Sequence, residues 1–194
     1  MVDRYNSFAE LAANERRGID YRIRVVDRGA NFTILAPHGG TIEPGTSEIA
    51  ERIAGTEFNL YSFEALRNGP HGDFHITSHR FDEPEALDLL QASWTAIAIH
   101  GRQDDGTETV WLGGLSDALR NAIGHSLRSQ GFAAEPNRRL PGQSPKNICN
   151  RALSGEGVQL ELPRSLRRRL VREADLMQSF SGAIQDVASP LLNP

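Results

Sequence analysis

The 194-residue chain has one cysteine, Cys149. That excludes an intrachain disulfide and any zinc site built from several thiolates. No apolar run approaches the ~20 residues of a membrane span. The first residues, MVDRYNSFAELAANERRG, lack the apolar stretch of a secretory signal. We therefore expect no membrane association and a cytoplasmic location as synthesised. Bases are not in excess: 21 Lys and Arg face 25 Asp and Glu, a formal charge of −4, which argues against a nucleic-acid partner. Repeats and low-complexity stretches are absent. What is present is 39% apolar and 24% charged residues, with Val, Ile, Leu and Phe well spread. A chain of this length forms one domain able to bury ~70% of its unfolded surface.

Short β-branched or aromatic runs predict strands at 21–26, 31–36, 57–62, 73–77, 95–99, 109–112 and 158–162. Helix punctuation lies between them. Thr46 or Ser47 can cap a helix to about Ala54, ahead of Gly55. Asp82 and Glu85 have capping-box spacing before 86–90. Ser116 precedes a periodic stretch through Leu119, Ile123 and Leu127 that Gly131 closes. Ser144-Pro145 predicts a helix to about Leu153, and Pro163 another with Leu166, Leu170 and Leu176 as its stripe. The polar segment 133–146 reads as a long functional loop, and the residues from about Ser179 as a tail. This alternation predicts an α/β, single-domain, three-layer fold with a mixed central sheet, in which ligands sit beyond the carboxyl ends of the strands.

Several constellations could carry chemistry. In Ala36-Pro37-His38-Gly39-Gly40-Thr41-Ile42-Glu43, a glycine-rich loop after a buried strand places an imidazole and a carboxylate five residues apart. Such a loop is either an ordinary turn or a place where His and Glu converge as ligands of catalytic zinc. His100 follows the four apolar residues 96–99, just past a strand end, and Gly101 turns the chain. In Val158-Gln159-Leu160-Glu161-Leu162, alternation directs Glu161 opposite the apolar residues. A carboxylate there is either on the solvated face of an edge strand or in use, for example as general base beside a metal. His75, on a strand with Thr77, reads as pocket wall.

From Arg138 to Arg172 there are nine Lys or Arg and two acids, Glu156 and Glu161. Arg164, Arg167, Arg168 and Arg169 read as a solvated helix face, whereas Arg151 is better placed to meet substrate. Cys149 reads as packed.

The strings APHGGTIEPGTSEIA, HITSHRFDEP, AIAIHG and KNICNRALSGEGVQLELP occur in that order over about residues 30–170. Together they resemble the phage-type poly-γ-glutamate hydrolases, compact relatives of the zinc carboxypeptidases. The resemblance implies a zinc-carboxypeptidase-like fold and one zinc ion held by His38, Glu43 and His100. It makes Glu161 the general base. Asn150-Arg151 would match the pair that grips a substrate carboxylate, with His75, Arg80 and Arg139 as further substrate contacts. The implied activity is cleavage of γ-glutamyl amide bonds of a polyanionic polymer or peptide by a monomer that host lysis would release if phage-derived. A zinc peptidase or deacylase on small γ-glutamyl or acyl-amino-acid substrates is the alternative, and a polyanion-binding module the non-enzymatic one. The chain is expected to be a single zinc hydrolase domain over 1–194 with flexible ends; Thr41 stands where many relatives carry a third glycine.

Overall fold

A computed structural model describes residues 3–192. Among them a seven-stranded mixed sheet runs in the order β1-β3-β2-β4-β7-β5-β6. Its strands are β1 (Tyr21–Val26), β2 (Phe32–Gly40), β3 (Asn59–Ala65), β4 (Thr95–Arg102), β5 (Val110–Gly113), β6 (Ala134–Pro136) and β7 (Val158–Pro163). The central strands β3, β2, β4 and β7 are parallel neighbours, β1 and β5 pair antiparallel with β3 and β7, and β6 runs parallel to β5. Being covered on both faces, the central strands read as continuous apolar runs.

Helices α1 (Phe8–Asn14), α2 (Thr46–Ala54), α3 (Pro84–Gln91), α4 (Asp117–Ser129), α5 (Arg164–Arg172) and α6 (Ala174–Ala188) complete three layers. One face of the sheet presents Ile34, Ile97, Ile99, Leu160 and Leu162 to α2, α4, α5 and α6. The other presents Leu35, Ala96 and Ala98 to a second cluster with α1 and α3. None of the helices is long and apolar enough to cross a membrane among the described residues.

Several sequence expectations are corrected. β2 and β4 run longer than expected, so His38 and His100 lie within strands rather than in a loop and past a strand end. β7 is interior to the sheet, which removes the edge-strand reading of Glu161. Residues 73–77 form no strand: a 3-10 turn, His71–Asp73, gives way to irregular backbone. There the carbonyl of Ile76 accepts from His38 and the amide of Thr77 donates to Asp3, so side chains take the groups a ladder would need. The helix expected from Ser144-Pro145 shrinks to a 3-10 turn, Ile148–Asn150, because the side chains of Asn147 and Asn150 bond to nearby backbone. Part of the expected loop 133–146 is β6.

The caps also differ. Gly45, left-handed at φ 97°, precedes α2, and the Thr46 hydroxyl instead donates to the carbonyl of Glu43 at 2.9 Å. Glu83, not Asp82, caps α3, while Asp82 accepts from the amide of Phe8 and holds α1. The expected tail is the second half of α6, with Phe180, Ala183, Ile184 and Ala188 buried.

Candidate active site

β2 and β4 are hydrogen-bonded only through Leu35 and Ala98. Beyond that point they part, and β2 bulges against β3 between Ala36 and Gly39. Pro37 lies in this bulge, where its missing N–H costs nothing. Gly40, at φ 61°, ends the strand so close to β3 that a Cβ would sit 2.2 Å from the carbonyl oxygen of Ala65. The gap between the parted strands receives His38 and His100. β4 continues alongside β7, placing Glu161 directly beside His100 in the register. This is the carboxyl end of the parallel strands, as expected for a site in such a sheet.

Here His38, Glu43 and His75 offer ligand atoms within 4.8 Å of one another. Nδ1 of His38 lies 3.3 Å from Oε1 of Glu43, and Nε2 of His75 lies 4.0 Å from the same oxygen. His100 completes the cluster, its Nδ1 3.1 Å from Nδ1 of His38 and 3.9 Å from Oε2 of Glu43. The surroundings orient each group. Nε2 of His38 meets the carbonyl of Ile76 at 2.8 Å, which makes it the protonated nitrogen and leaves a lone pair on Nδ1. Nδ1 of His75 is bonded to Asp3 at 2.6 Å, which turns Nε2 toward Glu43. The amide of Gly101 donates to Oε2 of Glu43 at 2.7 Å.

The cluster and Glu161 line a cavity of about 610 Å³. Burial, with a smaller contribution from His38, drives His100 down to about 3, so its imidazole is neutral. Burial works downward on His38 too, but the charge of Glu43 overcomes it and raises that pKa. Glu161, 8% exposed, is pushed up to about 8 by burial and by the charge of Glu43, and accepts a hydrogen bond from Gln159 at 3.1 Å.

This donor set fits a zinc ion. Nδ1 of His38 and Nδ1 of His100 face each other at 3.1 Å beside a carboxylate. Ligands ~2.0–2.1 Å from one tetrahedral zinc stand ~3.3 Å apart. Their outer nitrogens or neighbours are held by backbone and hydroxyl groups, the usual support of metal-binding histidines. A positive charge there would also lower the carboxyl of Glu161 from its raised position.

The other expected residues fall outside this cavity. The Asn150 side chain is occupied by backbone: it accepts from Leu115 and Gly157 and donates to Gly142 and Ser144. Arg151 does not line the cavity. Arg80 stands one layer back, bonded to Asp3 and Asn6, and Arg139 is exposed next to Leu140, which does line it. Two arginines read as a solvated face are part of the site. Arg167 is 4% exposed, bonded to the carbonyls of Pro44, Leu162 and Arg102, and its guanidinium packs on Gly101, where a Cβ would come within 2.5 Å. Arg164 lines the cavity mouth. Asp3 escaped sequence reasoning because nothing local ties it to His75; Arg164 could have been found from its place directly after β7.

Comparison with known proteins shows the family and agrees with the fold. A family model described as poly-gamma-glutamate hydrolase matches residues 5–186. The SPbeta prophage-derived protein YoqZ of Bacillus subtilis is 39% identical over 172 residues, which cover 87% of this chain and 62% of YoqZ. The chain thus spans under two thirds of that relative's length. A bacteriophage poly-gamma-glutamate hydrolase structure superposes with a TM-score of 0.92 at 32% identity, covering 98% of both chains. A zinc-free apo structure of YndL does so with a TM-score of 0.89 at 30% identity, covering 96% of this chain and 98% of that one. The chain belongs to the poly-γ-glutamate hydrolase family.

Proposed function

We propose that this protein is a zinc-dependent amidohydrolase that cleaves the γ-glutamyl amide bonds of poly-γ-glutamate. The observation that carries the reading is the convergence of His38, Glu43 and His100 in a cavity with the buried carboxyl of Glu161. The substrate comes from family membership.

In this reading His38, Glu43 and His100 hold the metal. Zinc supplies Lewis acidity, polarising a carbonyl and making water a stronger acid. Glu161 handles the proton: its carboxylate takes one from the attacking water and returns it to the amine nitrogen as the C–N bond breaks. His75, fixed by Asp3, presents Nε2 to the same space and contributes a polar contact there. Arg164 at the mouth offers its guanidinium to a substrate carboxylate.

The test is metal content of the purified protein together with chelation and zinc rescue of cleavage. Near-stoichiometric zinc, with polymer cleavage lost on chelation and restored by zinc, supports the reading. Bound zinc without polymer cleavage redirects it to small γ-glutamyl or acyl-amino-acid substrates. Failure to take up zinc overturns it.

A further inference from the structure

α5 carries five arginines and no acid in nine residues, within a chain of net charge −4. Arg167 is buried, and Arg169 pairs with Glu108 and Glu173. Arg164, Arg168 and Arg172 are exposed, and no ion pair holds any of them among the described residues. They stand four residues apart, where like charges work against the helix. Arg164 opens onto the catalytic cavity. Arg168 and Arg172 line a second groove of about 450 Å³ along the same helix. The two hollows share Pro44 and Arg167 as common walls, so the groove continues the cavity. Its lining includes Val171, 48% exposed, and one acid, Glu48.

We propose that this groove is a polymer-binding track, in which Arg164, Arg168 and Arg172 pair with successive carboxylates of one γ-linked polyglutamate chain. The proposal rests on the γ-polyglutamate reading above and extends it beyond the scissile bond. Four helical residues advance ~6 Å along the axis. An extended α-peptide advances about 3.5 Å over its three backbone bonds per residue. A γ-linked glutamate has five backbone bonds per residue and so advances about 6 Å, with one free carboxylate on each. The arginine spacing therefore matches the repeat length of that polymer. Guanidinium forks suit carboxylates, and Val171 offers an apolar contact for the polymer's methylene groups.

The experiment compares the full-length protein with Arg168→Ala/Arg172→Ala. A control, Arg16→Ala/Arg17→Ala, removes two charges that line neither hollow. Both track positions are exposed and alanine favours helix, so the variant should fold. Binding of long γ-polyglutamate to chelator-treated protein is measured against salt, then cleavage of the long polymer against a γ-linked dimer by zinc-loaded protein. The track is supported if the double variant binds the polymer about fivefold or more weakly than the control, with a salt slope shallower by about one to two. Its loss in kcat/KM should also be larger on the polymer than on the dimer and reside in KM. Polymer binding that depends on Arg168 and Arg172 in a protein that cleaves nothing leaves the track standing and removes the catalytic reading. Equal binding and salt dependence in double variant and control, or no binding by the unaltered protein, overturns the track.

Discussion

The carboxylate of Asp3 lies 2.6 Å from Nδ1 of His75, a residue 72 positions further along the chain. The same carboxylate accepts from the amide of Thr77 at 2.8 Å, from its hydroxyl at 2.7 Å and from Arg80 at 2.6 Å. The start of the described chain is therefore built into the wall of the site.

That wall has a signature in acid. Burial alone would raise the Asp3 carboxyl, but the bonds from Thr77 and His75 prevail and bring it to about 2. A carboxyl lowered on folding stabilises the native state above its unfolded value of about 3.9, and the contribution fades as pH falls through about 2. Asp3→Asn should thus be less stable than the unaltered protein at pH 6, with the gap closing between pH 4 and 2. Denaturant midpoints across this range check it; a gap independent of pH would detach the effect from the carboxylate.

Glu161 should behave in the opposite sense. In metal-free protein its carboxyl is pushed up to about 8, so folding favours the protonated form. Below about pH 4.5 this has no cost; between there and 8 the native state loses stability as pH rises. Glu161→Gln should therefore make chelated protein more stable at pH 8.5 while leaving stability at pH 4.5 little changed. The same substitution should keep zinc and lower turnover by roughly 10²–10⁴. Retained turnover would remove the proton-transfer role.

His38→Ala and His100→Ala should each lower zinc content well below that of the unaltered protein, measured by atomic emission on folded samples. His75→Ala should retain more zinc than either, because Nδ1 of His75 is committed to Asp3 whereas His38 and His100 bring their Nδ1 atoms to 3.1 Å of each other. Zinc loss in His75→Ala as deep as in His100→Ala would make His75 a ligand.

α6 should prove structural. Phe180 is fully buried and stacks edge-on against Phe132 with ring centres 5.1 Å apart. Phe180→Ala should cost ~3–5 kcal/mol, read from urea unfolding. A cost below ~1 kcal/mol would restore the reading of this segment as a tail.

How far these features were legible in the sequence depends on how local their causes are. The buried parallel strands announce themselves as apolar runs, and Gly55 marks the end of α2 where it was read. Residues 73–77 misled because Phe74 and Ile76 alternate like a strand, while partners 38 and 74 residues distant in sequence claim the backbone. Asn150-Arg151 was expected from the resemblance alone, and local sequence does not show that the Asn150 amide is consumed by four backbone groups. α6 was readable from Met177, Phe180, Ile184 and Ala188, which recur at helical spacing; the polar residues between them diluted the signal. The arginines of α5 could not be sorted from composition, since only packing separates buried Arg167 from its exposed neighbours.

Asp3 reaches the carboxyl ends of the parallel strands, whereas the carbonyl of Leu192 accepts from Asn31, at the start of β2. The two ends of the described chain thus sit at opposite poles of the sheet. A reporter or affinity handle joined beyond Leu192 would hang away from the catalytic mouth and leave it accessible to a long polymer. The same handle joined ahead of Asp3 would emerge beside His75 and crowd the entrance, so the choice of fusion end sets whether a tagged protein can be assayed on long substrates.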